Sequence, residues 1–168
     1  MRNWILDIYD SFYKAIVPDQ RYMAYIDGVK VTLLISFFAI LLGIAIGMIV
    51  AVLKVTSTKM NWKWLSTICN AYVNVIRGTP LIVQLLIMYN LIFTSRNTSE
   101  LVVGAICFGI NSGAYVAEII RAGIEAIDKG QMEAGRSLGL SYVQTMVLII
   151  MPQAVRNILP ALGNEFIT

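Results

Sequence analysis

An all-α, polytopic transmembrane helical bundle is the fold class this sequence predicts, and three observations carry it. Hydrophobic residues make up 58% of the chain and charged residues 14%, where soluble domains hold about 45–50% apolar and about 25% charged. The apolar residues gather in long stretches with lysines and arginines at their ends. Between the stretches, glycines, prolines and capping residues mark where helices stop. A chain of 168 residues has room for several spans and no large soluble domain beside them, so residues 1–168 read as a single transmembrane domain.

The same composition excludes other classes. Histidine is absent from the sequence, so no imidazole can serve as base or metal ligand. Cys69 and Cys107 lie in apolar stretches and read as small packing residues, neither a disulfide framework nor a metal site. The net charge is +3, and the basic residues lie between apolar runs rather than in a nucleic-acid patch. The N-terminus lacks the short apolar stretch and cleavage site of a secretory signal. No Gly-x-x-x-x-Gly-Lys-Ser/Thr phosphate loop occurs, so any ATP hydrolysis is expected on another polypeptide and no cofactor is expected on this chain.

The first span is Val31 to Leu53, 23 uncharged residues between Lys30 and Lys54, against about 20 needed to cross a bilayer. Its Gly43 and Gly47 make a small-residue step that lets another helix approach. A second apolar region runs from Leu65 to Phe93 and is interrupted by Arg77-Gly78-Thr79-Pro80. Pro80 removes a backbone donor and disfavours helix at Thr79, so a kink or break is expected there. Leu81 to Phe93 is too short to span alone, so the membrane portion is expected to start near Asn70, with Arg77 inside or just under the interface. Arg77 reads either as part of a solute path or as a snorkelling side chain.

The third span is Leu101 to Ile120, after Asn97-Thr98-Ser99-Glu100 as an N-terminal cap. Gly109 and Gly113 repeat the small-residue spacing, and Asn111 and Ser112 fall mid-span. Glu118 pairs with Arg121, extended by Glu125, at helical spacing; the alternative is a polar face lining a solute path. Beyond Pro152 the chain is amphipathic and then apolar, with Pro160, Gly163, Asn164 and Glu165. It stops at Thr168 inside an apolar helix with no flanking charge, so a further span is expected beyond that point.

Between the third span and this last region lies the most informative segment, Asp128 to Pro152. Glu133 and Ala134 fall on a first short helix that Gly139 suits as its left-handed end. Ser141 with Gln144 has the capping-box spacing for a second helix. Together they form a helix–turn–helix knob outside the bilayer, in the loop of about residues 125–145, with small residues between its arms. The connection after the first span carries Lys54, Lys59 and Lys63 without an acid, the one before the third has Arg96 balanced by Glu100, and the knob carries Lys129 and Arg136 beside Arg121. The positive-inside rule then puts the N-terminus outside and the knob in the cytoplasm.

Glu133-Ala134-Gly135, then Gly139, then Ile149 and Met151-Pro152 resemble the cytoplasmic loop of permease subunits of ABC importers. That loop reads Glu-Ala-Ala, three residues, Gly, nine residues, Ile-x-Leu-Pro. Gly135 departs from the second Ala and Met151 from the Leu. Asn74 to Gln84, Asn111 to Arg121 and Pro160 to Phe166 are similar to the polar amino acid uptake branch of these permeases, so the resemblance covers roughly residues 20–168. It implies the type I importer permease fold with five spans, of which about four are visible here.

The resemblance further implies a multi-pass subunit of the bacterial inner membrane that moves polar amino acids inward by alternating access. Glu133 to Gly139 would be the coupling helix docked on an ATPase subunit, Gly135 and Gly139 would let the knob's arms pack, and Ile149 and Pro152 would anchor the knob to the spans. Two ABC ATPase subunits carrying ATP and Mg, a second permease subunit (the same or related) and an extracytoplasmic solute-binding protein would be its partners. The candidate substrate path comprises Arg77, Gly78, Thr79, Pro80, Gln84, Asn111, Ser112, Glu118, Asn164 and Glu165, with backbone amides freed at the break available to a carboxylate. Glu165 would bind a cationic substrate or brace a neighbouring helix. Two rival classes are an ATP-independent channel or facilitator, which has no need of the knob, and an intramembrane enzyme, for which Glu118 and Glu165 form no recognisable catalytic pair.

Overall fold

The computed structural model describes residues 2–95, 98–165 and 167, and the side chains of these except residues 2, 3, 58 and 59. Arg96, Asn97, Phe166, Thr168 and the side chain of Lys59, which enter the reading above, lie outside the described residues. The described residues form helices joined by short turns: α1 (Arg2–Ile16), a 3₁₀ turn (Pro18–Gln20), α2 (Tyr22–Met60), α3 (Lys63–Gly78), α4 (Leu81–Ile87) continuing as a π turn (Met88–Ile92), α5 (Glu100–Glu125), α6 (Lys129–Ser137), α7 (Tyr142–Thr145), a second π turn (Met146–Ile150) and α8 (Met151–Glu165).

Three helical stretches are long and apolar enough to cross a membrane, Pro18–Ser57, Glu100–Glu125 and Tyr142–Glu165, and the bent pair Lys63–Gly78 and Leu81–Ile92 makes a fourth if it counts as one span. α2 outruns the expected Val31–Leu53 at both ends. No proline interrupts it, and the flanking Tyr22–Lys30 and Lys54–Met60 continue the helix until Asn61 closes it in the left-handed conformation, its amide bonded to the Ser57 carbonyl.

α5 is the core helix because its buried face is built from small residues, among them Gly104, Gly109, Gly113, Ala114, Ala117 and Gly123. The two small-residue steps of the sequence face each other. A β-carbon on Gly43 would meet Ser112, one on Gly47 would meet Val116, one on Gly109 would meet Leu42 and one on Gly113 would meet Ile46, each inside 3.0 Å. Without side chains in the way, the two backbones close together and gain van der Waals contact that lipid cannot replace. The order of these contacts rises along both helices, so α2 and α5 are parallel and the chain recrosses between them.

That return is the bent segment. α3 and α4 meet at 105°. Tyr72 reaches the Ile110 carbonyl of α5 at 2.7 Å, Arg77 reaches Tyr115 and Glu118, and Gln84 then comes back to Asn111 and Tyr89 to Glu100. The apex of the bend therefore sits beside Tyr115 and Glu118, and α4 runs back along α5.

The cap expected at the start of α5 is only partly present. Ser99 has the extended backbone of an N-cap, and its carbonyl accepts from Val102 and Val103, but its hydroxyl makes no capping bond. Glu100, in the first turn where the helix dipole favours an acid, takes a bond from the Tyr89 hydroxyl instead.

Candidate functional site

Two regions combine polar chemistry with specific geometry: the break in the second span, and the knob. At the break, Pro80 donates no amide bond and the α3 helix loses its continuation. Gln84 fills the gap. Its side-chain amide donates to the Ile76 carbonyl at 2.7 Å and the Thr79 carbonyl at 2.9 Å, the backbone acceptors that the missing turn would have used. Its own carbonyl accepts from the Asn111 amide at 3.2 Å, and the Thr79 hydroxyl bonds back to the Val75 carbonyl. Gln84 and Asn111 were candidates for the solute path; the structure brings them together as a clasp that holds the break onto α5. The Val83 and Gln84 amides both donate to Pro80, so the expected row of free amides is partly consumed within the turn. Nothing lies within 4 Å of a β-carbon built on Gly78, so it packs against no neighbour there.

Below the clasp runs a line of charge. Glu118 is bridged by Arg121 through two bonds, Arg121 also binds Glu125, and Arg77 lies 3.7 Å from Glu118. The Arg77 guanidinium stacks 5.1 Å from the centre of the Tyr115 ring. The Glu118–Arg121–Glu125 set expected from spacing is thus present, and Arg77 joins it from another helix rather than only snorkelling. The tight geometry belongs to Arg121; Arg77 has the long, single contact.

Beside Arg77 opens a cleft of about 460 Å³ lined by Ser36, Phe108, Asn111, Ser112, Tyr115 and Glu165, with Leu81 from the start of α4. Glu165 lies within electrostatic reach of Arg77. Of the predicted path residues, Asn111, Ser112 and Glu165 border this cleft, with Arg77 at its edge through Tyr115. Thr79 and Gln84 line a separate apolar cavity of about 200 Å³ with Cys107 and Ile110. Asn164 lies next to Glu165 near the end of α8.

The knob is built as the capping chemistry requires. Asp128 accepts from the Gly130 amide to start α6. At its end, Gly139 sits at φ +84° while Leu140 bonds back to Gly135 and Gly139 to Arg136, the paired bonds of a Schellman turn. Ser141 and Gln144 form the reciprocal capping box of α7. Gly135 is buried, and a β-carbon there would strike Thr145 and press on Ile149. Gly139, by contrast, has nothing within 4 Å, so its contribution is the turn and not packing of the arms. Gln153 ties the knob to α8, donating to the Ile149 carbonyl at 2.8 Å and reaching Gln131 of α6 at 3.4 Å.

Glu133 and Ala134 point to solvent, and Pro152 is exposed at the start of α8. Sequence reasoning passed over Leu138, which is 80% exposed beside them; a leucine immediately before the turn glycine, on an otherwise polar helix, was the available signal. The result is a capped arm carrying an acid and an exposed leucine, joined to α8 through the continuous helical stretch Tyr142–Glu165 and the Gln153–Gln131 contact.

Residues 43–168 match the family described as binding-protein-dependent transport system inner membrane component. A permease protein of Rickettsia felis assigned to a glutamine transport system is 44% identical over 84% of this chain and 64% of its own length. The arginine transport system permease protein ArtQ of Bacillus subtilis is 37% identical over 93% and 69%. The glutamate/aspartate import permease protein GltK of Escherichia coli is 35% identical over 94% and 72%. A chain in a crystal structure of an amino acid ABC transporter with histidines superposes with a TM-score of 0.71 at 45% identity, covering 84% of this chain and 70% of that one. The chain spans 64% of the length of the Rickettsia relatives.

Proposed function

The chain belongs to the binding-protein-dependent transport system inner membrane components, and from that premise we propose that it is a transmembrane subunit of an ATP-driven importer of polar amino acids. The observation that carries this reading is the knob: two short helices locked by a Schellman turn and a capping box, the second running on into the membrane helix Tyr142–Glu165 and the first reached from it by Gln153 through Gln131. An arm this stiff transmits a push without absorbing it. Closure of two ATPase subunits in the cytoplasm, docked around Glu133 and Leu138, then tilts α8 and the cleft beside it. The chain carries no phosphate loop, so hydrolysis belongs to those partners.

The cleft supports a zwitterionic cargo. Arg77 stands at one edge with a contact to Glu118 that is longer and weaker than Arg121's, which leaves its guanidinium available to a carboxylate. Glu165 lines the cleft and suits an ammonium. Asn111 and Ser112 border the space between. Glutamine, arginine and glutamate in the names of relatives support polar amino acids as the class. A second permease subunit, the same or related, completes the pathway, and a solute-binding protein delivers cargo on the face opposite the knob, with the N-terminus on that same outer face.

The test is uptake by proteoliposomes holding the complex purified from native membranes, loaded with ATP and supplied with labelled glutamine, arginine or glutamate. Accumulation against a gradient that requires internal ATP is expected. Equal uptake without ATP would instead place the chain among facilitators.

A further inference from the structure

The first helix has no role in any of this, yet its surface is highly ordered in composition. From Trp4 onward, counting about 100° per residue, Trp4, Ile5, Leu6, Ile8, Tyr9, Phe12, Tyr13 and Ile16 fill an arc of about 200°. Asp7, Asp10, Ser11 and Lys14 fill the opposite arc of about 100° without a single intrusion. Trp4 is 67% exposed, Tyr9 62% and Phe12 65%. The 15 residues of α1 reach only about 22 Å, too short to cross the hydrocarbon of a bilayer.

We propose that α1 is an interfacial anchor that lies flat on the outer surface of the same bilayer α2 crosses, its occupant being the lipid headgroup and upper acyl region. Three features favour lipid over a protein partner. The helix that follows α1 also exposes apolar residues at its start, Tyr22, Met23, Tyr25 and Ile26, and is itself long and apolar enough to cross a membrane. The connection is short: Pro18–Gln20, with Asp19 and Gln20 in the left-handed region, turns the chain within a few residues, so α1 cannot lie far from the start of α2. The aromatic content is that of the interface, where Trp and Tyr rings sit at headgroup level. The polar face is mixed in sign, Asp7 and Asp10 against Lys14, so attachment comes from apolar burial and needs no anionic lipid.

The test uses the full chain with Trp62→Phe and Trp64→Phe, which leaves Trp4 as the sole tryptophan, reconstituted in phosphatidylcholine bilayers. Bromine-labelled lipids, brominated at shallow or deep acyl positions, report depth by quenching Trp4. Strong quenching from the shallow label, several-fold weaker quenching from the deep one, and poor access to aqueous acrylamide are expected, unchanged when anionic lipid is added. In Ile8→Asp with Phe12→Asp, bromolipid quenching should fall several-fold and acrylamide access should rise. Water-like access to acrylamide in the parent protein would overturn the proposal. So would shielding from both quenchers, which would mean that a second copy or another protein covers the face, and so would quenching that appears only with anionic lipid.

Discussion

Gly135 and Thr145 meet across the knob with no room for a methyl group between them: a β-carbon on Gly135 would fall well inside 3.0 Å of the Thr145 side chain, which is fully buried. The distance between α6 and α7, and hence the angle at which the exposed arm leaves the spans, is set by this pair.

Gly135→Ala should therefore destabilise the knob by about 1–3 kcal/mol, the range for overpacking a closed site. Thr145→Ala alone loses a hydroxyl whose acceptor, the Ser141 carbonyl, already takes the Thr145 amide. Combining the two should recover most of the loss, a coupling of about 0.5–3 kcal/mol between neighbours. Hydrogen exchange at the α6 amides measures it; additive effects would mean that the arms are not packed through this pair.

Gln84→Leu should destabilise the purified protein by about 2 kcal/mol. It strips three bonds, each averaging about 0.6 kcal/mol between membrane helices, and leaves the Ile76 and Thr79 carbonyls without a side-chain partner. Asn111→Leu, which removes only the 3.2 Å contact, should cost less than half as much. Unfolding in mixed detergent micelles, followed by helicity, ranks them; the reverse order would show that the clasp does not hold the break.

Glu118→Gln should lower stability by about 2 kcal/mol, less than for a fully buried pair because Glu118 keeps 24% exposure. It deprives Arg121 of its bidentate partner and Arg77 of its ion pair with Glu118. Glu125→Gln, at a side chain 62% exposed, should change it by about 0–1 kcal/mol. The same unfolding measurement separates them, and equal effects would contradict the assignment of Glu118 as the hub.

Gly47→Ala should cost about 1–3 kcal/mol by forcing α2 from α5, and Val116→Ala should not rescue it. A β-carbon on Gly47 meets the Val116 β-carbon at 2.6 Å and the Ala117 amide nitrogen at 3.1 Å, both of which remain in the double variant. Full rescue, scored by the yield of folded protein in detergent, would mean that the backbones are not the limiting contact.

Much of this was legible because the signals are local. Gly139, the Ser141–Gln144 spacing and the Pro80 break act through the backbone within a turn, and Gly43, Gly47, Gly109 and Gly113 declare close packing by lacking a side chain. The partners of Gln84 were not legible. Its bonds run backward across a 105° bend to carbonyls whose position only the tertiary fold sets, and its third partner is 27 residues away. Spacing revealed Glu118 and Arg121 on one helix, but Arg77 arrives from a different one. The amphipathic arc of α1 is present in the periodicity of residues 4–16, but no charge bracket or capping pair marks that helix in the sequence.

The claim on which the functional reading stands is that the knob engages a nucleotide-hydrolysing partner, and affinity purification of the tagged protein from native membranes in mild detergent tests it. A P-loop ATPase should copurify with the parent protein and be depleted at least tenfold in Glu133→Arg, with membrane insertion and helicity of the variant unchanged. If no ATPase is recovered across several mild detergents, or if Glu133→Arg retains it fully, the knob is not the coupling element.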